Sequence, residues 1–137
     1  MGLTTVDAGV VIGFLDRNDA HHAAAYQALL EAGQRGDRLV LPASALAEVL
    51  VGPARRGPEA IAQVRELVQR LPMEIAGLDE ETAVAAAVLQ ARHRSIRLPD
   101  ALVIATADAV AADRLVTTDR GWPSRSTLGL RAELIEL

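Results

Sequence analysis

Residues 3–15, LTTVDAGVVIGFL, join two short segments of different character at a single acid, Asp7. The first segment, residues 3–7, is rich in β-branched residues and predicts a strand. The second, residues 9–15, is apolar and has the length of a short helix. A strand followed at once by a helix is the building unit of α/β proteins with parallel sheets. The N-terminus therefore predicts such a unit, with a carboxylate at the end of its strand.

The rest of the chain continues this alternation. Predicted helices cover residues 19–36, 44–51, 58–70, 79–94 and 100–112. Predicted strands cover residues 38–41, 73–76 and 115–118, with a weaker strand at 133–136. Gly52-Pro53 and Gly57-Pro58 are predicted chain breaks. The pattern indicates one α/β domain over residues 1–137, a three-layer α/β/α sandwich with a mainly parallel sheet of four to five strands.

Composition excludes several classes of function. The 137 residues include no Cys, which rules out disulfides, thiolate metal sites and a cysteine nucleophile. The formal net charge of −4 argues against indiscriminate nucleic-acid binding through overall charge, and leaves a local basic rim open. All 14 cationic side chains are Arg, whose planar fork suits carboxylate or phosphate. Neither a membrane-spanning apolar run nor a secretory signal pattern is found, so we expect a soluble cytoplasmic protein.

Four acids fall at one predicted edge of the sheet. Asp7 ends the first strand, Asp119 follows the fourth, and Asp100 opens the helix that leads into the fourth. Glu48 lies among apolar neighbours in the first two turns of the helix after the second strand. In open α/β sheets, ligands bind beyond the carboxyl ends of the strands. Each acid also has an ordinary alternative, a helix or turn cap for the aspartates and a solvated helix face for Glu48.

If the four acids meet, they need a cation. Carboxylates a few Å apart cannot all stay ionised without compensation. Because the available ligands are oxygens, with no Cys and no nearby His, Mg²⁺ or Mn²⁺ is favoured over zinc. Such an ion lowers the pKa of a bound water and stabilises charge on a phosphodiester. The acids therefore predict a metal-dependent nuclease.

Four stretches carry a resemblance to a known family. They are TTVDAGVVIGFL at residues 4–15, ASALAEVL at 43–50, LPDALVIATA at 98–107 and LVTTDRGW at 115–122. In this order, and over nearly the whole chain, they resemble PIN-domain ribonucleases, with the size and motif order of the VapC toxins of bacterial toxin–antitoxin pairs. The resemblance implies an endoribonuclease dependent on Mg²⁺ or Mn²⁺, a homodimer, an RNA substrate and neutralisation by a cognate VapB-like antitoxin.

The resemblance also implies roles for individual residues. Asp7 and Asp100 correspond to the acids most directly tied to metal, and Asp119 is expected to join them. Glu48 corresponds to the remaining catalytic acid, which either helps to bind the metal or positions the attacking water. Thr117 corresponds to a hydroxyl residue that orients the fourth acid. We expect cleavage to leave a 5′-phosphate and a 3′-hydroxyl.

The chain departs from the family pattern beside its first acid. Where the family often has Ser or Thr, this chain has Ala8 and Gly9. The hydroxyl support for Asp7 is therefore expected to be missing, which puts the metal geometry in question. Arg120 is the arginine nearest to the acids in sequence and a candidate contact for RNA phosphate, with Arg97 and Arg55 as further candidates.

The sequence lacks residues that two other classes of function require. A haloacid-dehalogenase-type phosphatase needs a second acid where Gly9 stands, and a receiver domain needs a Lys that the chain lacks. A non-catalytic PIN-like module that binds RNA or protein remains an alternative. Trp122, the only Trp, either stacks on a base or covers the end of the sheet, and we expect the second. His21 and His22 are expected at the surface or in a dimer contact.

Overall fold

The computed structural model describes all residues from 1 to 137 and contains five strands and seven helices. The strands are β1 (Leu3–Val6), β2 (Arg38–Pro42), β3 (Met73–Ala76), β4 (Arg114–Thr117) and β5 (Glu133–Glu136). The helices are α1 (Ala8–Leu15), α2 (His22–Arg35), α3 (Ala43–Arg56), α4 (Pro58–Arg70), α5 (Glu80–Arg92), α6 (Leu98–Ala109) and α7 (Arg125–Leu128). The predicted α/β class is confirmed, and the weak fifth strand is present.

All five strands are parallel and lie in the order β3-β2-β1-β4-β5. The chain winds outward from β1 through β2 to β3, then crosses to the other side of β1 to form β4 and β5. The order therefore reverses between β1 and β4. In an open parallel sheet, the crevice at such a reversal is the usual ligand site.

The central strands are buried on both faces. Thr4, Thr5 and Val6 of β1 are at most 1% exposed, and Leu115 and Thr117 of β4 are fully buried. Full burial of successive residues, whose side chains point to opposite faces, means that helices cover both sides of the sheet. The edge strands β3 and β5 carry more exposed residues.

The helices differ from the predictions at three points. α3 does not stop at Gly52-Pro53 but runs to Arg56, and the chain breaks only at Gly57, whose φ of 111° suits glycine. Pro53 removes one backbone hydrogen bond yet is buried, so packing outweighs its loss. α6 begins at Leu98 rather than at Asp100, and the short helix α7 was not predicted.

The amino edge of the sheet carries a buried ion network. The Asp37 side chain is 1% exposed, and its Oδ2 accepts from Thr4 Oγ1 at 2.9 Å, Arg35 Nε at 3.0 Å and Arg114 Nη1 at 3.1 Å. Burial alone would raise the pKa of Asp37, but the hydrogen bonds and the two arginine charges outweigh it, so the pKa is lowered. This network ties β1 and β4 to the chain entering β2, at the end opposite the acids.

The structure contains no helix that could span a membrane, judged by length and hydropathy together.

Candidate active site

The four predicted acids come from four elements around the reversal of strand order. Asp7 directly follows β1, and Asp119 lies two residues beyond β4. Asp100 is in the first turn of α6, and Glu48 is in the second turn of α3. The carboxyl ends of β1 and β4 are adjacent because these strands pair in register, with Val6 opposite Val116. The topology therefore brings the acids to one edge, as the sequence predicts.

Asp7 is held in a fixed orientation. It is the N-cap of α1, and its Oδ1 accepts from the backbone N–H of Ala8 at 2.7 Å. Its Oδ2 accepts from Thr117 Oγ1 at 2.8 Å. The residue is only 8% exposed. The capping alternative is therefore correct for Asp7, but it does not remove the carboxylate from the site.

Thr117 contacts the first acid as well as the fourth. Besides donating to Asp7, its hydroxyl accepts the backbone N–H of Asp119 at 3.0 Å. Asp119 in turn accepts from the N–H of Gly121 at 2.7 Å and forms a tight turn. The expected loss of hydroxyl support for Asp7 is wrong in its effect, because Thr117 supplies a hydroxyl from β4.

Asp100 is buried but less firmly held. Arg97 occupies the N-cap position of α6, which rules out the simple capping role for Asp100. The Asp100 carboxylate lies 3.7 Å from Arg97 Nε, a loose ion pair at the mouth of the site. Pro99 sits in the first turn of α6, where its missing N–H is no disadvantage.

The acids act on one another electrostatically. Burial raises the pKa of Asp7, hydrogen bonds from Thr117 and Ala8 oppose this, and the charges of Asp100 and Asp119 raise it further. Burial is the main influence on the pKa of Glu48 and raises it. The charges of Asp7 and Asp100 raise it further, while the charge of Arg97 lowers it. The pKa of Asp100 is raised as well, chiefly by burial. Asp7, Glu48 and Asp100 are thus disfavoured as anions, and a cation would relieve this.

The carboxylates fit a hard divalent cation if water molecules provide part of its coordination. All candidate ligands are carboxylate oxygens, which suit Mg²⁺ or Mn²⁺. However, no three acidic or histidine side chains lie close enough together to surround one ion. Mg²⁺ usually keeps several waters and is bound by one or two carboxylates. The residues therefore fit an ion held by one or two acids directly and by the others through water.

The structure separates two of the arginines that were predicted as RNA contacts. Arg120, the nearest in sequence, donates from Nε to the carbonyl of Leu137 at 2.9 Å and so anchors the C-terminus. Arg97, with 78% of its side chain exposed, is the arginine that lies beside an acid of the site. Arg97 was among the arginines predicted as RNA contacts, and its position beside Asp100 follows from their i,i+3 spacing at the start of α6.

Two features of the site were missed by sequence reasoning. A Cβ on Gly9 would collide with Thr118 Oγ1, so only glycine admits that hydroxyl beside the start of α1. Trp122 is 7% exposed and belongs to the hydrophobic core, so its ring is not available for stacking on a base. Its indole Nε1 is buried without a hydrogen-bond partner. Neither feature has a signal in residue spacing.

His22 is not a free surface group, because its Nδ1 bonds to Gly13 O at 2.8 Å.

Comparison with known proteins agrees with this arrangement. The sequence profile of the PIN domain matches residues 4–126, from β1 to α7. The chain belongs to the PIN domain family. No protein of curated function has a significantly similar sequence.

Solved structures share the fold at low sequence identity. VapC20 of Mycobacterium tuberculosis, a toxin that cleaves the sarcin–ricin loop, superposes with a TM-score of 0.69 at 17% identity, covering 95% of this chain and 98% of its own. VapBC2 of Rickettsia felis, bound to a fragment of promoter DNA, gives 0.70 at 15% identity and 98% coverage of both chains. FitAcB of Neisseria gonorrhoeae gives 0.66 at 19%, covering 98% and 97%. The fold of this PIN protein is that of VapC toxins.

Proposed function

We propose that this PIN protein is a single endoribonuclease domain dependent on Mg²⁺ or Mn²⁺, and the toxin of a VapBC-type pair. The observation that carries the proposal is that four carboxylates lie around the carboxyl ends of β1 and β4, and that three of them have raised pKa values. Such a site is built to bind positive charge. The VapC fold of the whole chain supports the same function.

The residues divide the work of phosphodiester hydrolysis. Asp7 and Asp100 would hold the metal, with Asp119 contributing directly or through water. A bound divalent ion supplies an activated water and stabilises charge on the phosphate. Glu48 would either help to bind the metal or position the attacking water. The water oxygen forms a bond to phosphorus, the bond to the 3′-oxygen breaks, and that oxygen takes a proton, leaving a 5′-phosphate and a 3′-hydroxyl.

Cleavage of RNA by purified protein tests this proposal. Asp7→Asn and Asp100→Asn should abolish cleavage, and a chelator should abolish it in the wild type until Mg²⁺ or Mn²⁺ is restored. Glu66→Gln is the matched control, because Glu66 is an exposed acid of α4 paired only with Arg70. Full cleavage by both aspartate variants would refute the assignment.

The second candidate is a PIN-like module that binds RNA or protein without cutting. The observation that favours it is the lack of three acids around one ion position. Under this alternative, the wild type and Asp7→Asn would bind RNA equally and neither would cleave it in any divalent ion. Metal-restored cleavage decides between the two.

The proposed partners are an antitoxin and a second copy of the chain. A groove of about 520 Å³ between α1, α3 and α4 runs beside Glu48 and includes the exposed Ile12 and Leu67. An apolar antitoxin segment with a cationic end would fit this groove and the acids together.

Val84 and Val88 of α5, exposed by 58% and 43%, are the proposed dimer face. Light scattering on Val84→Glu alone measures whether the chain still forms a dimer. The same measurement with antitoxin present shows whether antitoxin binding, which is assigned to the groove, is kept.

A further inference from the structure

The indole N–H of Trp122 is an exception to the rule that buried donors are paired. Trp122 is 7% exposed, and its Nε1 has no hydrogen-bond partner. Most buried polar groups in folded proteins are paired, so an unpaired one requires an explanation. The turn at Asp119 and Gly121 immediately precedes Trp122, and Pro123 restricts the backbone of Trp122 itself.

The Trp122 side chain lies near an acid of the site. Burial is the main influence on Asp100 and raises its pKa, and the Trp122 N–H is among the groups that oppose this rise. The two groups are thus neighbours, although their separation does not meet hydrogen-bond geometry in this structure.

Asp100 lacks the support that Asp7 has. Two hydrogen bonds fix the oxygens of Asp7, from Ala8 and from Thr117. The only charged neighbour within 4 Å of Asp100 is Arg97, which is 78% exposed and 3.7 Å away. An exposed arginine cannot hold a carboxylate in one orientation, because its side chain samples many conformers. Trp122 Nε1 is the buried, rigid donor that can.

We propose that Trp122 is a positioning residue of the acid site: its indole N–H donates to Asp100 and holds this carboxylate in the orientation that binds the divalent cation. The inference rests on the metal site of the proposed function. Groups that hydrogen-bond to metal-binding carboxylates set their orientation and raise affinity. Trp122 does so without touching the ion or the RNA.

The single Trp makes the contact directly observable. A ¹⁵N-labelled sample has one indole cross-peak, which belongs to Trp122. Asp100→Asn should move this peak in metal-free protein, and Mg²⁺ should move it in the wild type but not in Asp100→Asn. Glu66→Gln should leave the peak and its Mg²⁺ response unchanged. A peak that ignores Asp100→Asn would overturn the proposal.

Metal affinity is the second measurement, with free Mn²⁺ counted by electron paramagnetic resonance. Trp122→Phe removes the N–H, and replacement of Trp122 by β-(3-benzothienyl)alanine removes it while keeping the size of the ring. Each folded variant should bind Mn²⁺ about 10-fold or more weakly than the wild type. Equal affinity in the benzothienyl protein would overturn the proposal. If the wild type binds no Mn²⁺, the proposed function fails, and the metal-positioning role fails with it; wild-type binding with unchanged variants refutes Trp122 alone.

Discussion

The Thr117 hydroxyl donates to Asp7 Oδ2 at 2.8 Å, joining residues 110 positions apart in the sequence. The same oxygen accepts the N–H of Asp119 at 3.0 Å. One side chain of β4 therefore fixes the first acid and the backbone of the fourth. The hydroxyl is fully buried, so water cannot replace it.

Removal of this hydroxyl should weaken both folding and metal binding. In Thr117→Val, a buried carboxylate oxygen and a backbone N–H lose their partner while the shape of the side chain is kept. We expect a loss of about 1–3 kcal/mol in the free energy of unfolding and about 10- to 100-fold in Mn²⁺ affinity. Urea unfolding and Mn²⁺ titration measure these, and Thr117→Ser should restore most of both. Wild-type affinity in Thr117→Val would show that the hydroxyl serves folding only.

Asp7→Asn should stabilise the metal-free protein while abolishing activity. The folded-state pKa of Asp7 is raised, chiefly by burial, so the ionised carboxylate disfavours the folded state at neutral pH. This penalty is complete above the raised pKa and disappears as pH falls below the ordinary value of 3.8. Melting temperatures should therefore be higher for Asp7→Asn at pH 7, with the gap closing at low pH.

Added Mg²⁺ should reverse the order of these two proteins. The ion stabilises only a folded state that binds it, so it should raise the melting temperature of the wild type and leave Asp7→Asn unchanged. A wild type that is the more stable protein without metal would contradict this account of the site.

Sequence patterns were sufficient for the five strands and the six longer helices, and for the edge around which the acids lie. Apolar periodicity gives the bounds of β3 and α4 without error, because these segments contain one pattern each and end at turn residues. The same reasoning failed at Pro53, where burial against neighbouring helices overrides a local breaker. It also failed for the partner of Thr117 and for Trp122 Nε1. Those depend on which side chains the parallel sheet brings together, and no local propensity encodes that.

Gly9 and Thr118 should behave as a coupled pair. Gly9→Ala places a Cβ against Thr118 Oγ1, and this overlap should cost about 1–3 kcal/mol of unfolding free energy. Thr118→Ala removes the obstructing oxygen, so the double variant should recover most of the loss. Gly33→Ala is the control, since nothing lies within 4 Å of its new Cβ and a helical Gly-to-Ala change gains about 0.5–1 kcal/mol. Additive losses in the double variant would disprove the coupling.

The Asp37 network should govern acid stability without affecting the active site. Its pKa is lowered in the folded state, so its stabilisation is present above the ordinary value of 3.8 and is lost as pH falls through the lowered pKa. Asp37→Asn should cost about 2–3 kcal/mol near neutral pH, less than a fully buried pair because Arg35 and Arg114 remain partly solvated. The deficit should shrink in acid. RNA cleavage at temperatures where the variant is folded should be unchanged, because Asp37 lies at the opposite end of the sheet.

Arg97, rather than Arg120, should contact the RNA backbone. Its guanidinium is exposed at the mouth of the acid site, whereas Arg120 is engaged with the carbonyl of Leu137. Binding is best measured in an Asp7→Asn background, where RNA is not cut. There, Arg97→Gln should weaken binding and reduce the dependence of log Kd on log salt by about 0.7, the effect of one lost phosphate contact on single-stranded RNA.

Arg70→Gln is the matched control for this measurement, because Arg70 is 71% exposed and paired with Glu66 on α4. It should leave the salt dependence unchanged. If Arg120→Gln reduces the salt dependence and Arg97→Gln does not, the contact between Arg120 and Leu137 opens when RNA binds, and phosphate recognition belongs to the turn after β4 instead of the start of α6. The two variants thus determine which side of the acid site the RNA strand crosses.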